Sequence, residues 1–461
     1  MSDPLIDQLA AAVRGAVITA ADPTYDEARA VRNRMHDRRP AAIVRALDEA
    51  DVMAVIRFVR ERGLNLAVRS GGHSVPGYGV VDDGVVLDMR EIRNVRVDPE
   101  RRIARVGGGA VLGEVDHATH AYGLATPAGV ISTTGAAGLT LGGGISGYLG
   151  RKYGLTCDNL VSADVVTAAG ERVTASEDEN ADLFWALRGG GGNFGVVTSM
   201  EYALHPCSTV IGGPILFERE AAADVMKFYR EYIDDAPREL GGFLAWQMAP
   251  PLPFIPEDRV GDVTFAAVVC WSGDPERAED VFAPIRAAGP IVAEHVGPAP
   301  YPALQGAFDG LVPADLQHYW KADFVRELTD EAIEAHLEFG PRVPFMSSTM
   351  HIYPMNGAVQ DVGPDETAFA VRDAKFAVVI AGMWPDPEAN EANTAWVRDY
   401  YAAIHPHSGY EGGYTNFMAA DDQARVRENY GTAYDRLARI KAKWDPHNLF
   451  RLNQNIEPAA G

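Results

Sequence analysis

The chain has 461 residues, of which 47% are hydrophobic, and a net charge of −23 at pH 7. One hydrophobic core does not normally hold a chain of this length, so we expect two lobes. The negative charge argues against a nucleic-acid partner, because phosphate binding needs clustered Lys and Arg side chains.

The cysteines and the first residues bear on the compartment. Cys157, Cys207 and Cys270 lie far apart and form no Cys/His motif, which predicts free thiols and no metal site. Residues 1–15 lack a basic region ahead of an apolar one, and the chain has no run of about 18 apolar residues. We therefore expect a cytoplasmic protein without a membrane partner.

The first part of the chain alternates between short apolar runs and helical patterns. Asp48 is a predicted helix start and Gly63 a predicted helix stop. The predicted helices are 5–15, 48–63, 112–122 and 183–187, and the predicted strands are 41–44, 64–68, 85–88, 95–97, 103–106, 159–167 and 196–204. This order indicates a mixed α+β lobe.

The pattern changes after residues 205–207, where a second lobe is predicted. Its predicted strands are 211–217, 262–271, 346–353 and 374–384, and its predicted helices are 220–234, 275–288 and 328–337. We expect an antiparallel sheet covered by helices. A last helix is predicted over 421–443, before the turn-like segment 444–450.

The segment Arg69-Ser70-Gly71-Gly72-His73-Ser74 follows a predicted strand and is itself followed by Gly77-Tyr78-Gly79. Adjacent glycines let a backbone approach another group closely, and backbone N–H groups in such a turn can hold phosphate. A phosphate loop does not need an imidazole, whereas a site that attaches a cofactor to the protein does. His73 is therefore the residue that requires an explanation.

Residues 142–147 match the GxGxxG pattern of dinucleotide-binding folds. That pattern should lie between a strand and a helix, with an acidic residue further along. The preceding segment 135–141 is too rich in Gly and Ala to predict a central strand well. A Rossmann-type NAD site is a competing interpretation of these glycines.

Several motifs in the same order resemble one group of flavoproteins. Segments 69–74, 127–144, 151–159, 188–198 and 451–456 resemble the PCMH-type FAD-binding domain of the vanillyl-alcohol-oxidase group. Within that group they are most similar to berberine-bridge-enzyme-like oxidases of the bacterial 6-hydroxynicotine-oxidase type. The resemblance implies a two-lobed α+β fold.

This resemblance also implies a division of the chain and a cofactor. It implies an FAD-binding domain over 1–206, a substrate domain over 207–410, and a C-terminal segment over 411–461 that returns to the FAD domain. The implied cofactor is FAD. The implied FAD-binding residues are Arg69, Ser70, Gly71, Gly72, His73, Ser74, Gly77, Tyr78, Ser132, Thr133, Thr134, Gly135, Gly138, Leu139, Gly142, Gly143, Cys157, Asp158, Val197, Asn416, Asn453 and Asn455.

The resemblance assigns His73 to a covalent bond with the 8α-methyl group of FAD. Many relatives have a second link through a cysteine, and that position aligns with Ser132, which cannot form a thioether. A single link through His73 is therefore expected, with Cys157 a small buried residue near the flavin. Gly135 aligns with a position that controls oxygen access, and its lack of a side chain favours an oxidase.

The implied activity is transfer of a hydride from a small amine or alcohol to flavin N5, with oxygen then reduced to hydrogen peroxide. A dehydrogenase of the same fold that uses another electron acceptor is the main alternative, and a flavin-retaining protein without turnover is a further one. The expected partners are a small-molecule substrate and O2. The sequence does not specify an oligomeric state.

The substrate side departs from the family pattern. The usual Tyr base aligns with Phe417, and a second polar position aligns with Val379, so neither position can take a proton. One alternative is a neutral amine, whose lone pair assists hydride loss. The other is a different base: alternation puts His351 and Tyr353 on one strand face. An ordinary strand histidine is the competing interpretation of His351. The catalytic candidates are His351, Tyr353 and Tyr414.

Overall fold

The computed structural model describes residues 3–460. Its α-helices are α1 (Asp3–Ala12), α2 (Tyr25–Arg29), α3 (Glu49–Arg62), α4 (Leu112–His120), α5 (Ala136–Leu141), α6 (Gly150–Tyr153), α7 (Ala181–Leu187), α8 (Ala222–Asp235), α9 (Ala278–Arg286), α10 (Tyr301–Gln305), α11 (Asp330–Phe339), α12 (Ala358–Asp361), α13 (Asn390–Ile404), α14 (Val426–Tyr430) and α15 (Tyr434–Trp444).

Its strands are β1 (Val17–Ile18), β2 (Ala42–Arg45), β3 (Leu66–Arg69), β4 (Val85–Asp88), β5 (Val95–Asp98), β6 (Ile103–Gly107), β7 (Leu124–Ala125), β8 (Leu160–Val166), β9 (Arg172–Ser176), β10 (Val196–Ala203), β11 (His205–Pro206), β12 (Thr209–Phe217), β13 (Leu240–Met248), β14 (Val263–Trp271), β15 (Ile291–Glu294), β16 (Gly297–Pro300), β17 (Gln317–Val325), β18 (Thr349–Pro354) and β19 (Phe376–Trp384).

Helix α3 shows how local sequence determines these elements. The Asp48 side chain accepts a hydrogen bond from the Asp51 backbone N–H at the first turn. Gly63 ends the helix in the left-handed conformation, with φ +62°. Val55 and Val59, one turn apart on the apolar stripe, are fully buried in the adjacent core. The predicted start and stop of this helix are confirmed.

Two sheets build the first lobe. One has the order β1-β2-β4-β3, and β4 runs parallel to both β2 and β3. The other is antiparallel, with the order β5-β6-β10-β8-β9. Because β3 ends at Arg69, it delivers the segment 69–74 to the carboxyl edge of the parallel sheet.

The second lobe contains one eight-stranded antiparallel sheet. Its order is β15-β12-β14-β13-β18-β19-β17, and β16 also pairs with β12. Helices α8, α9, α11 and α13 contribute to a core on one face, where Trp246 is fully buried. The opposite face carries Ala245, Tyr353 and Val379 and packs towards first-lobe residues such as Ile145. This arrangement confirms the predicted α+β class and the helix-covered sheet.

Arg151 ties the two lobes together from α6. Its guanidinium is buried and donates to the backbone carbonyls of Ile233, Ala236 and Leu240 at 2.7 to 2.9 Å. It also donates to the Asn356 side chain at 2.8 Å. The charge is therefore satisfied by carbonyl dipoles of the second lobe, and this fixes the lobes relative to each other.

The predicted helix over 421–443 is wrong as one continuous element. A 3₁₀ helix occupies Ala420–Arg425, α14 follows, and Gly431 ends α14 with φ +50° before α15 begins. A side chain is strained at such a φ value, so Gly431 permits the break. The prediction also missed β13 and β17, which contribute cavity residues.

Candidate functional site

A cavity of about 390 Å³ lies between the loops of the first lobe and the eight-stranded sheet. Both predicted groups of residues contribute to it. The predicted residues that line it are Arg69, Ser70, Gly71, Gly72, His73, Ser74, Tyr78, Thr134, Gly135, Gly138, Leu139, Val197, His351, Tyr353, Asn416 and Asn453. Among residues 3–460, no cluster of three or more His, Cys, Asp or Glu side chains could hold a metal ion.

Arg69 anchors the loop that begins the site. Its guanidinium is almost fully buried and donates to Asp88 at 2.9 Å and to the Ala28 carbonyl at 2.6 Å. A buried cation needs such partners, because desolvation opposes its charge. Arg69 is therefore committed to holding the end of β3 in place, and the loop beyond it is available for ligand contacts.

Gly71 and Gly135 bring two loops into direct backbone contact. A Cβ atom on Gly71 would lie 2.4 Å from the Gly135 nitrogen, and one on Gly135 would lie 2.6 Å from the Gly71 nitrogen. No side chain fits there, so both positions require glycine for packing. A side chain at Gly135 would point at Ser70 and Gly71, which gives this glycine a reason other than oxygen access.

His73 stands at the cavity wall between two threonines. Its Nε2 atom is 2.9 Å from Thr133 Oγ1, and its Nδ1 atom is 3.4 Å from Thr134 Oγ1. Burial, followed by the nearby Arg32 cation, lowers the pKa of His73 to about 3. The imidazole is therefore neutral at physiological pH, which leaves a nitrogen lone pair for bonding.

The loops around His73 fit a long cofactor with a phosphate group and a flat ring. Gly72 and Gly191 line the cavity with positive φ values of +70° and +72°, which turn backbone groups towards a ligand. Ser70 Oγ is buried and has no hydrogen-bond partner among the described residues. These features match the donor set that FAD requires.

Other predicted residues lie outside the cavity lining. They are Gly77, Ser132, Thr133, Gly142, Gly143, Cys157, Asp158, Tyr414 and Asn455. Of these, Thr133 acts on the site through His73. Gly142, Gly143, Cys157, Asp158 and Tyr414 are taken up in turn below.

Gly142 and Gly143 pack closely against residues that are distant in the sequence. They follow helix α5 rather than a strand, so the Rossmann interpretation is wrong. A Cβ on Gly142 would lie 2.1 Å from Asn416 Oδ1, and one on Gly143 would lie 2.5 Å from the Phe369 ring. Residues from distant parts of the chain therefore require these glycines.

Cys157 and Asp158 belong to a buried network beside the site. The Asp158 carboxylate pairs with the Arg372 guanidinium at 2.7 Å, and both side chains are buried. Burial raises the pKa of the Cys157 thiol well above its usual value, so it is an unreactive thiol. The structure gives Asp158 a buried ion pair and Cys157 a packed thiol, and their cofactor contacts stay predictions.

Tyr414 anchors a turn instead of reaching the cavity. Its hydroxyl oxygen accepts hydrogen bonds from the backbone N–H groups of Gly144 at 2.9 Å and Ile145 at 3.2 Å. Asn416 Nδ2 also donates to it at 2.7 Å. Burial raises the pKa of Tyr414 to about 12. These bonds give Tyr414 a structural role outside the cavity lining, and its catalytic role stays a prediction.

The sheet wall of the cavity is built from cross-strand rows. Strand register places Trp320, Ala381 and Thr349 side by side, and the neighbouring strand β13 contributes Gln247 to the cavity. Lys321 points to the opposite face, where it pairs with Asp422 at 2.7 Å. The cavity residues of β13, β17, β18, β19 and the segment before β18 are Gln247, His318, Trp320, Met346, Ser347, Ser348, Thr349, His351, Tyr353, Val379, Ala381 and Met383.

His351 and Tyr353 form a hydrogen-bonded pair on this wall. The His351 Nδ1 atom is 2.7 Å from the Tyr353 hydroxyl. Burial lowers the pKa of His351 to about 3 and raises that of Tyr353. Both side chains are therefore uncharged at neutral pH, and Phe417 lies beside Tyr353, with ring centroids 6.3 Å apart.

Sequence reasoning missed two cavity residues that the structure makes prominent. Gln247 is 8% exposed, lines the cavity, and its side-chain amide bonds to no other described residue. Arg32 lines the cavity close to His73 and donates to the Val312 carbonyl. An unexpected Gln within the apolar run 240–248 was the available signal, but that strand was not predicted.

Comparison with protein families gives two matches on this chain. Residues 40–176 match the model described as FAD binding domain, and residues 413–457 match the model described as berberine and berberine like. These matches cover the segment 69–74 and the residues around Asn416. The first match therefore identifies FAD as the cofactor of the domain that contributes the segment 69–74 to the cavity.

The relatives and solved structures extend over nearly the whole chain. An uncharacterized FAD-linked oxidoreductase of Bacillus subtilis (strain 168) is 30% identical over 96% of this chain and 97% of its own. The (R)-6-hydroxynicotine oxidase of Paenarthrobacter nicotinovorans is 30% identical, with 97% of each chain covered. The crystal structure of 6-hydroxy-D-nicotine oxidase from Arthrobacter nicotinovorans superposes with a TM-score of 0.87 at 28% identity, covering 100% of both chains.

A second solved structure supports the fold alone. Glucooligosaccharide oxidase from Acremonium strictum superposes with a TM-score of 0.87 at 23% identity, covering 99% of this chain and 100% of the other. Its description names a 6-S-cysteinyl, 8α-N1-histidyl FAD. The described helices of the present chain include none that is long and apolar enough to cross a membrane.

Proposed function

We propose, from the premise that this chain belongs to the berberine-bridge-enzyme-like family of FAD-linked oxidoreductases, that it oxidises a small neutral amine and passes the electrons to oxygen. The enzyme class follows from the family: the protein is an FAD-dependent oxidoreductase that acts on an organic substrate. The substrate class, the covalent link and the electron acceptor are the proposed parts. Bound FAD supplies the hydride acceptor.

The proposed covalent link joins FAD to His73 through Nδ1. The neutral imidazole supports this role. Its Nε2 atom makes the shorter contact, with Thr133, whereas its Nδ1 atom makes only a weaker contact with Thr134, which lines the cavity. Forming the bond would remove one hydrogen from the 8-methyl group and one from the imidazole. Bound FAD, with oxygen as the final electron acceptor, would supply the two-electron oxidation that this bond requires.

We propose that this link is the only one. All three cysteines of the chain are buried and free, and none of them lines the cavity. A thioether to the flavin needs a thiol at the cavity wall. The absence of a cysteine there supports single attachment through His73, independently of the alignment at Ser132.

The uncharged sheet wall is the observation that carries the amine proposal. Oxidation of an alcohol requires removal of the hydroxyl proton, and a positioned base usually contributes about 10²–10⁴-fold to the rate. His351, with a pKa of about 3, is a poor base, and burial disfavours the phenolate of Tyr353. A neutral amine needs no such base, because its lone pair stabilises the cation left by hydride loss.

The substrate class is tested by mixing the holoenzyme anaerobically with matched amines and alcohols. We expect a neutral amine to bleach the flavin absorbance rapidly, and the alcohol of the same carbon skeleton to bleach it slowly. Preferential bleaching by the alcohols would reject the amine proposal. Failure of every substrate in a broad panel would favour a flavin-retaining protein without turnover.

Oxygen as the acceptor is supported by the oxidases at 28% and 30% identity. The experiment is to reduce the flavin under anaerobic conditions and then mix it with aerated buffer. We expect fast return of the oxidised spectrum and one hydrogen peroxide per flavin. Slow reoxidation in air, with fast reoxidation by a quinone or dye, would support the dehydrogenase alternative.

A cytoplasmic location is also proposed. Its support is chemical: three free cysteines without a disulfide are typical of proteins kept in a reducing compartment. Cell fractionation with an antibody to the protein tests it. Recovery with secreted or membrane fractions would reject the location while leaving the activity proposal unchanged.

The covalent link is tested with His73→Ala. We expect acid-precipitated wild-type protein to retain its flavin absorbance, and the variant to release its flavin into the supernatant. Cys157→Ser is the matched control and should retain the flavin, because Cys157 does not line the cavity. Flavin that stays with the precipitated His73→Ala protein would contradict the proposed link.

A further inference from the structure

A loop of the second lobe, residues 306–316, is hydrogen-bonded to the segment 132–134, which contacts His73. The Asp309 carboxylate accepts a hydrogen bond from the Ser132 backbone N–H at 2.8 Å and a second from the Ser132 hydroxyl. Ser132 immediately precedes Thr133 and Thr134, the two residues in contact with the His73 imidazole. Asp309 therefore acts on His73 through two intervening contacts and does not itself line the cavity.

The same loop is tied to the first lobe at its other end. Arg32 donates to the Val312 carbonyl, and the Arg34 backbone N–H donates to the Leu316 carbonyl at 3.0 Å. Phe308, Leu311 and Val312 of this loop line the cavity. The loop is thus hydrogen-bonded to first-lobe residues that precede and follow the 69–74 segment.

Two further titratable groups, Asp116 and Arg32, lie near Asp309. Asp116 lies close by, and burial, with a smaller contribution from Asp309, raises the pKa of Asp116 to about 8. Asp116 is therefore mostly protonated at neutral pH. The negative charge of Asp309 lies near the half-buried Arg32, whose cation also acts on His73.

We propose that Asp309 is a positioning residue for covalent flavin attachment, so that the substrate lobe completes the attachment site. The inference rests on the proposed His73 link. By holding Ser132, Asp309 fixes the Thr133–Thr134 pair, which orients the imidazole and directs Nδ1 to the cavity. A misdirected imidazole still permits FAD binding, but it slows bond formation.

The test follows attachment in apoprotein of the full chain after FAD is added. The measured quantity is the fraction of flavin that remains with acid-precipitated protein over time, and non-covalent FAD binding is measured separately by fluorescence quenching. We expect Asp309→Asn to slow attachment at least about tenfold, while it still binds FAD. Ser132→Ala should slow it less, because the Ser132 backbone N–H remains bonded.

Asp315→Asn is the matched control on the same loop. Asp315 pairs with Arg34 at 2.7 Å, but its side chain is 83% exposed and it does not contact Ser132. Exposed pairs contribute little, so we expect the wild-type attachment rate from this variant. A rate change shared by Asp309→Asn and Asp315→Asn would mean a general loop effect and would overturn the proposal.

The outcomes separate this inference from the function on which it rests. Wild-type attachment kinetics in Asp309→Asn would overturn the positioning role alone. Covalent flavin in His73→Ala, or none in the wild type, would overturn the link itself. If Asp309→Asn does not fold, Ser132→Ala decides, because a wild-type rate in that variant would overturn the proposal.

Discussion

The two walls of the cavity are built on different principles. One wall, called here the flavin-loop wall, is formed by the first-lobe loops that contain Gly71, His73 and Gly135. Its two loops are in backbone contact at Gly71 and Gly135, and two threonine hydroxyls contact the His73 imidazole. On the sheet wall, side chains project from regular strands, and none of them carries a charge at neutral pH. One wall is determined by backbone geometry and the other by side-chain identity.

This difference has a consequence for what each wall can recognise. Backbone positions change little when surface residues are substituted, so the flavin-loop wall suits a cofactor that does not change. A side chain on a pleated strand can be replaced without altering the sheet, so the sheet wall suits selection among substrates. The present sheet wall offers a substrate apolar surface and a few neutral hydrogen-bonding groups.

Gly135→Ala should break the flavin-loop wall and have the largest effect. Its Cβ would lie 2.6 Å from both the Gly71 nitrogen and Ser70 Oγ, and a backbone atom cannot move aside cheaply. We expect a loss of about 3 kcal/mol in the free energy of unfolding, together with loss of FAD binding. Thermal unfolding of the apoprotein and FAD titration measure the two effects.

Gly138→Ala is the control for that experiment. A Cβ on Gly138 meets no atom within 4 Å, and the residue lies inside α5. Alanine should raise the stability of the apoprotein by up to about 1 kcal/mol through helix propensity. If Gly135→Ala were as stable as Gly138→Ala and bound FAD normally, the backbone contact would not be essential.

The flavin-loop wall was largely predictable because its signals are local. The strand that ends at Arg69, the glycine pair and His73 lie within a few consecutive residues. The caps of α3 were predictable for the same reason. A pattern of neighbours determines a turn or a helix end, so one sequence suffices to recognise it.

The remainder of the site depends on partners that are distant in sequence. Gly142 and Gly143 resembled part of a dinucleotide motif, but they are required by Asn416 and Phe369. Tyr414 resembled a catalytic residue, but its hydroxyl is taken by the backbone of Gly144. Asp309 gave no signal at all, because its role exists only when the two lobes meet.

Gln247→Leu tests whether a side chain of the sheet wall contacts the substrate. The amide of Gln247 has no partner among the described residues and lines the cavity, so it is available to a substrate polar group. Loss of one hydrogen bond of about 1.4 kcal/mol corresponds to about a tenfold higher KM for the best amine substrate. Attachment of FAD should be unchanged.

Thr264→Val provides the control for Gln247. Thr264 is fully buried on the neighbouring strand, donates to the Gln247 backbone carbonyl, and does not line the cavity. It should change stability slightly and leave KM as in the wild type. An equal KM increase in both variants would indicate a disturbed strand rather than a lost substrate contact.

Tyr353→Phe should have the smallest effect on catalysis. It removes the 2.7 Å hydrogen bond to His351 without adding volume. If the substrate is an amine, no proton transfer depends on this pair, so we expect less than about a threefold change in the rate of flavin reduction, against about a hundredfold for loss of a general base. Anaerobic stopped-flow measurement of flavin bleaching distinguishes the two values.

The pH dependence of the same measurement completes this prediction. Burial places the folded-state pKa of His351 at about 3, below its ordinary value, so the imidazole stays neutral at all higher pH values. The stability it contributes is full above its unfolded-state pKa of about 6.5 and is lost as pH falls towards 3. When the rate of flavin reduction is expressed per concentration of neutral amine, it should not vary between about pH 6 and 9. A rate that follows a single ionisation in this range, abolished in Tyr353→Phe, would make the pair a working base and return the alcohol reaction to consideration.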